Sequence, residues 1–227
     1  MRRALLTFVL VAWLAGPVAG RAVAQAQSSA LAAGDGQIVD GVAARIEDDI
    51  LTESEVRELG AFQQLVDGSP KARTERIREL ADQWIARGEI ETAKYPPPSS
   101  ADVDRAYTLL AAQFPSPEEF LRRCAAAGLS EAAVRRMLAQ QLYLSRFLDY
   151  RFRPAAQIDA KQIETYYRDE FMPQVKAKNQ TVPPLADVED TIREVLVQRA
   201  INDRATQWLD DTRSRLKIDV VSNGARP

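Results

Sequence analysis

The feature that most constrains the fold is the long helical pattern at the end of the chain. From about Ala186 to Leu216, the residues Val188, Ile192, Leu196, Ala205, Trp208, Leu209 and Leu216 fall near one stripe, with no glycine or proline between them. At 1.5 Å per residue this helix is on the order of 45 Å long, enough to cross a small domain. The residues that follow, KIDVV from Lys217 to Val221, read as a short strand. A partner for it lies at the other end of the sequence. Val42, Ala44 and Ile46 alternate with Ala43 and Arg45, Glu47-Asp48-Asp49 supplies a turn, and Ile50-Leu51 resumes the apolar character. An isolated hairpin is marginal in water, so the last strand is expected to add a third strand to it. The long helix then returns the C-terminus to the N-terminal hairpin.

The intervening chain is punctuated into helices. Thr52 to Glu55 spells a capping box, and a helix is expected from about Glu53 to Val66, stopped by Asp67-Gly68-Ser69-Pro70. A second runs from about Pro70 to Ala93 through Ile77, Leu80, Trp84 and Ile85, and ends at Pro96-Pro97-Pro98. Ser99 or Ser100 caps a third, through Val103, Tyr107, Leu110 and Phe114. Ser116-Pro117-Glu118-Glu119 opens a fourth that Gly128 closes, and Ser130 opens a long fifth ending near Phe152. Asp159 to Gln162 is another capping box, starting a helix past Ile163, Tyr166 and Tyr167 that is expected to end before Pro173. The fold class is mainly α with a small antiparallel sheet.

Composition excludes several kinds of chemistry. With no histidine the chain has no Ser-His-Asp triad, no Cys-His pair and no histidine-ligated zinc site. The acidic runs Glu47-Asp48-Asp49 and Asp187, Glu189, Asp190 sit at a turn and a helix start, where solvated acids are favoured. No metal, cofactor or catalytic residue is therefore expected. The single cysteine, Cys124, lies on a helical pattern and suits a buried apolar role.

Residues 1–24 follow the order of a secretory signal: Arg2 and Arg3, the apolar run Ala4 to Ala15, then Ala22-Val23-Ala24 as a cleavage pattern. Cleavage there leaves Gln25 first, residues 25–36 as a flexible lead-in, and no stable membrane anchor. Removing Arg2, Arg3 and Arg21 from 30 basic residues leaves 27 against 32 acidic ones, a net charge near −5. That balance argues against a nucleic-acid partner. A periplasmic or otherwise extracytoplasmic location is the expectation.

The order of these pieces resembles that of SurA-like extracytoplasmic chaperones and their parvulin-type prolyl isomerase relatives. VAARIEDDILTESEV, Val42 to Val56, is similar to the hairpin and cap that open the family's chaperone domain, with Glu47 where asparagine is usual. SEAAVRRMLAQQLYLSRFLDYRF, Ser130 to Phe152, leads as in the family to an I-D-x-x-x-I-x-x-Y-Y phrase, present as IDAKQIETYYRDEF, Ile158 to Phe171. Pro184 to Val221 resembles the family's C-terminal helix and strand. The resemblance implies a SurA N-terminal-like, trigger-factor-like peptide-binding domain over residues 37–172, completed by residues 186–221, with a tail at 222–227. In the relatives, parvulin domains of roughly a hundred residues stand between the Tyr-Tyr helix and the final helix. In this chain that place holds only a linker, residues 173–185.

The resemblance implies an ATP-independent holdase for unfolded or nascent secreted and outer-membrane protein segments, without its own isomerase site. Phe114, Phe120, Leu121, Met137, Leu138, Leu142, Tyr143, Phe147 and Tyr150 form the apolar and aromatic set that would line its peptide groove, with packing between helices as their other role. Tyr166-Tyr167 has the same two roles, and Lys176 and Lys178 read as solvated linker charge. Two alternatives stay open: a weak or inactive prolyl isomerase homologue, and an assembly factor dedicated to one envelope protein. Oligomeric state is left open.

Overall fold

The computed structural model describes residues 40–222; the expected signal, the lead-in and most of the tail lie outside them. The described chain is mainly helical with a three-stranded antiparallel sheet. Strands β1 (Val42–Ile46) and β2 (Asp49–Thr52) form the hairpin, and β3 (Ile218–Val220) pairs with the free side of β1, giving the order β2-β1-β3. Ala44 faces Val220, Arg45 faces Asp219 and Ile46 faces Ile218. The two ends of the described chain therefore meet as the sequence requires.

The strict alternation expected along β1 does not hold. The register shifts between Val42 and Ala44, and the bulge at Ala43 buries that side chain completely alongside Ala44. An extra residue in one strand resets which face follows, so neighbours can both point inward.

Helices α1 (Glu53–Asp67), α2 (Arg73–Thr92), α3 (Ser100–Ala111), α4 (Pro117–Ala126) and α5 (Glu131–Phe152) follow, starting and stopping largely where their caps dictate. Thr52 caps α1 with Glu55, Ser99 caps α3 with Asp102, and Ser116 and Ser130 accept N–H bonds at α4 and α5. Gly68 and Gly128 end α1 and α4 at φ 77° and 72°, a conformation side chains resist. The second helix begins at Arg73, three residues after the expected Pro70. Buried Gln63 explains the delay: its carbonyl accepts the Lys71 N–H at 2.9 Å, while its amide donates to Glu79 at 3.0 Å. The chain is thus held in a turn there. Phe114 lies beyond the end of α3, not within it.

A 3₁₀ turn (Arg153–Ala155) leads to α6 (Ala160–Tyr166), capped by Asp159 and Gln162. The helix does not stop before Pro173. A π-helical turn (Tyr167–Phe171) widens it, and α7 (Met172–Ala177) carries on through the proline. Pro173 has no N–H to donate and would crowd the carbonyl four residues back in a regular helix. The wider turn, in which the Met172 N–H reaches the Tyr167 carbonyl, accommodates it. The irregular connector then shrinks to residues 178–184, pinned where the Tyr167 hydroxyl donates to the Pro183 carbonyl at 2.8 Å.

Helix α8 (Leu185–Arg213) has 29 residues, about 43 Å of length. Its fully buried line is Ile192, Val197, Ile201 and Ala205; Val188, Leu196, Trp208, Leu209 and Leu216 of the expected stripe are only half-buried. The helix meets α6, α5 and α2. Its inward face rotates as the partner changes, so no single straight stripe describes it.

Three clusters hold the described chain. Leu59, Phe62 and Leu65 of α1 pack with Leu110, Phe120, Cys124, Val134 and Leu138. Ala43, Ala44, Ile46 and Leu51 of the hairpin pack with Val56, Ile77 and Ala81. Ala156 packs with Val197 and Ile201. Cys124 is buried, and that burial pushes its thiol pKa up, as suits a structural cysteine. Among the described residues, no helix is long and apolar enough to cross a membrane.

Candidate peptide-binding surface

The end of α2 and the second half of α5 build an aromatic shelf. Tyr95 lies just past α2, and its ring packs against Tyr143 at 6.2 Å, Phe147 at 5.8 Å and Tyr150 at 5.1 Å between centroids. Phe147 is buried and forms the base, Tyr95 and Tyr143 are half-buried, and Tyr150 is 62% exposed. Spacings of three, four and seven along α5 place Tyr143, Phe147 and Tyr150 on one side of that helix.

The shelf is braced at both ends. The Tyr143 hydroxyl donates to the Tyr95 carbonyl at 2.5 Å. Four residues beyond Tyr95, Ser99 caps α3 and Asp102 receives the Arg146 guanidinium of α5 at 2.8 Å. Arg146, with Ser99 and Arg105 beside it, holds the Asp102 carboxyl well below the usual carboxylate range. The stretch Tyr95-Pro96-Pro97-Pro98 is fixed between these anchors, with Pro96 and Pro97 exposed. Proline fixes its own φ, so the segment keeps its shape at low entropic cost.

The expected groove set divides on this geometry. Phe120, Met137, Leu138 and Phe147 are buried at 1%, 8%, 9% and 1% exposure and belong to the core, which corrects their assignment to a peptide groove. Their spacing on α4 and α5 is that of a core-facing stripe, which sequence does not separate from a groove. Phe114 is half-buried against Phe120 at 5.1 Å. Leu142 and Tyr143 are half-buried, while Leu121 and Tyr150 are exposed, joined by Leu109 on α3 at 61%. Tyr95 lies outside the expected set although it is the centre of the shelf. Its signal is the run Tyr-Pro-Pro-Pro, in which an aromatic is held at the edge of a rigid segment.

The tyrosine pair on the sixth helix has a different role. The Arg199 guanidinium lies 4.8 Å over the Tyr166 ring and pairs with Glu170 at 2.7 Å, while Tyr167 stacks on Phe171 at 5.7 Å and pins the connector. Neither tyrosine is fully buried. A wide, open hollow of about 340 Å³ beside Tyr166 and Leu196 is edged by Asp159, Lys161 and Asp169.

A second, more enclosed cleft of about 210 Å³ opens where α1, α2 and α5 meet. Leu59, Leu80 and Met137 supply its apolar lining, and Gln83, Gln140 and Gln141 its amides. Four charged residues complete it: Glu55, Glu58, Arg87 and Arg136. Among the described residues no group of three or more His, Cys, Asp or Glu side chains is arranged to hold a metal. No protein-family model matches the chain, and comparison with curated proteins finds no match.

Proposed function

We propose that this chain is an ATP-independent extracytoplasmic holdase that binds unfolded secreted or outer-membrane protein segments and has no prolyl isomerase site of its own. The observation that supports it is the braced tyrosine shelf of Tyr95, Tyr143 and Tyr150, presented beside the rigid Pro96-Pro97 surface. Tyrosine rings offer large contact area with few rotatable bonds and no fixed hydrogen-bond pattern, which suits clients of varied sequence. Exposed Leu109 and Leu121 add apolar surface on α3 and α4.

A few exposed rings favour affinities on the order of micromolar over tight capture. Release then needs only dissociation, which is consistent with a cycle that uses no nucleotide. The resemblance to SurA-like chaperones supports the same reading. Residues 178–184 between α7 and α8 are too few to house a parvulin domain.

The test is aggregation of an unfolded outer-membrane β-barrel protein in the presence of the chain, without ATP, beside an inert protein. Suppression near equimolar ratio is expected, and its loss in Tyr95→Ala/Tyr150→Ala with the helical spectrum intact. A folded chain that leaves aggregation unchanged would overturn the proposal.

A further inference from the structure

The cleft between α1, α2 and α5 differs in chemistry from the tyrosine shelf. Two of its four charges are already matched to each other, since Glu58 pairs with Arg136. A third is engaged in a cap: the Glu55 carboxylate accepts the Thr52 N–H at 2.7 Å and the Thr52 hydroxyl at 3.0 Å. Arg87 is left with no carboxylate at ion-pair distance among the described residues. The amides of Gln83, Gln140 and Gln141 likewise make no side-chain hydrogen bond within the described chain. Gln83 and Arg87 are four apart on α2, and Gln140 and Gln141 lie one turn beyond Met137 on α5, so each helix turns its polar groups to the same opening.

One uncommitted cation, three uncommitted amides and an apolar lining therefore converge on a space of about 210 Å³. That is smaller than the roughly 300–1,000 Å³ of small-molecule sites. It has room for one residue, and a space of that size admits a chain end more readily than a strand that must enter and leave. An amide side chain can both donate and accept, as a terminal peptide unit requires. The cation selects a carboxylate.

The geometry points to this cleft as a site for the free carboxyl terminus of a polypeptide ending in an apolar residue. The terminal carboxylate meets Arg87, the last peptide unit meets the glutamine amides, and the last side chain lies against Leu80 and Met137. The assignment rests on the holdase reading, in that it names which part of a client is read at a second point on the same molecule.

The test uses fluorescently labelled octapeptides ending in leucine, as free acid and as carboxamide, titrated against the full chain by anisotropy. The free acid is expected to bind about fivefold more tightly, the scale of one solvent-accessible ion pair. Arg87→Gln, at an exposed position, is expected to equalise the two peptides without changing the circular dichroism. Equal binding of acid and amide to the unaltered chain, or a preference that survives Arg87→Gln, would overturn the assignment. An aromatic peptide blocked at both ends separates the two proposals. If it binds and weakens in Tyr95→Ala/Tyr150→Ala while acid and amide do not differ, only the carboxylate site falls. If no peptide binds, both fall.

Discussion

Glu47 and Lys217 are bonded in both directions: the Glu47 N–H donates to the Lys217 carbonyl at 3.0 Å, and the Glu47 carboxylate accepts the Lys217 N–H at 2.7 Å. One residue in the hairpin turn thereby fixes the start of β3, 170 positions away. It does so from φ 50°, a left-handed conformation unfavourable for glutamate. Glu47→Ala keeps the strained backbone and loses the acceptor, so it is expected to cost about 1 kcal/mol. Glu47→Asn also loses the reach to Lys217 but tolerates the left-handed region, and is expected to be nearly neutral. Urea denaturation of the two variants checks this; an equal loss in both would show that the backbone conformation carries no cost.

The shelf residues should separate binding from stability. Tyr150→Ala removes an exposed ring and is expected to leave stability within about 0.5 kcal/mol while weakening client binding. Tyr143→Phe takes the donor from the Tyr95 carbonyl and is expected to cost about 1 kcal/mol. Phe147→Ala opens a cavity under the shelf and is expected to cost about 3–5 kcal/mol. Thermal melts beside peptide titrations would detect the opposite pattern, a destabilising Tyr150 change or a benign Phe147 one, which would place the shelf elsewhere.

The topology was legible because local chemistry and global closure agree. Thr52, Ser99, Ser116, Ser130 and Asp159 each announce a helix start by a cap that forms, and the apolar strand after α8 has one hairpin to join. Ala43 and Pro173 were not legible in this way. A bulge is set by how neighbouring strands fit, and a proline after a helical pattern is equally compatible with a helix end and with a widened turn that carries the helix through it. The site was less legible for a further reason. Phe147 and Tyr150 are three apart on one helix and both pack on Tyr95, yet one is 1% and the other 62% exposed, and only the placement of the helices around α5 decides which. Arg87 was silent for the same cause: an uncommitted arginine is recognised only once every carboxylate near it has been placed.

Asp102 should give the fold an acid-sensitive link. Its pKa is lowered in the folded chain, chiefly by the Arg146 hydrogen bond, from an ordinary 3.8. A depressed carboxylate contributes stability that is fully present above its unfolded value and is lost as pH falls toward the folded one. The contribution is thus intact above about pH 4 and declines in stronger acid. Asp102→Asn is expected to flatten the melting temperature against pH below 4, relative to the unaltered chain. Identical slopes for the two would remove Asp102 from the acid response.

Asp82 behaves in the opposite sense, and its partner Arg213 shows why. Arg213 of α8 donates to Asp82 of α2 at 3.0 Å through Nε and again through its terminal nitrogen, and the two side chains are 19% and 21% exposed. Burial pushes the Asp82 pKa up, and the Arg213 hydrogen bond only partly pulls it back. A raised carboxylate favours folding in its protonated form, so this contribution weakens as pH rises through the folded value. Arg213 also pairs with Asp210 at 2.7 Å, so Asp82→Asn leaves the guanidinium a partner while removing a buried charge. That change is expected to cost less than about 1 kcal/mol at pH 7. Arg213→Met instead strands the carboxylate, and a cost of about 2 kcal/mol is expected at pH 7. Because the stranded Asp82 relieves itself by taking up a proton, the Arg213→Met cost should shrink between pH 7 and pH 4.5, measured by urea denaturation at both. In the Asp82→Asn/Arg213→Met double variant that pH dependence should vanish; if it persists there, its source is not the carboxylate of Asp82.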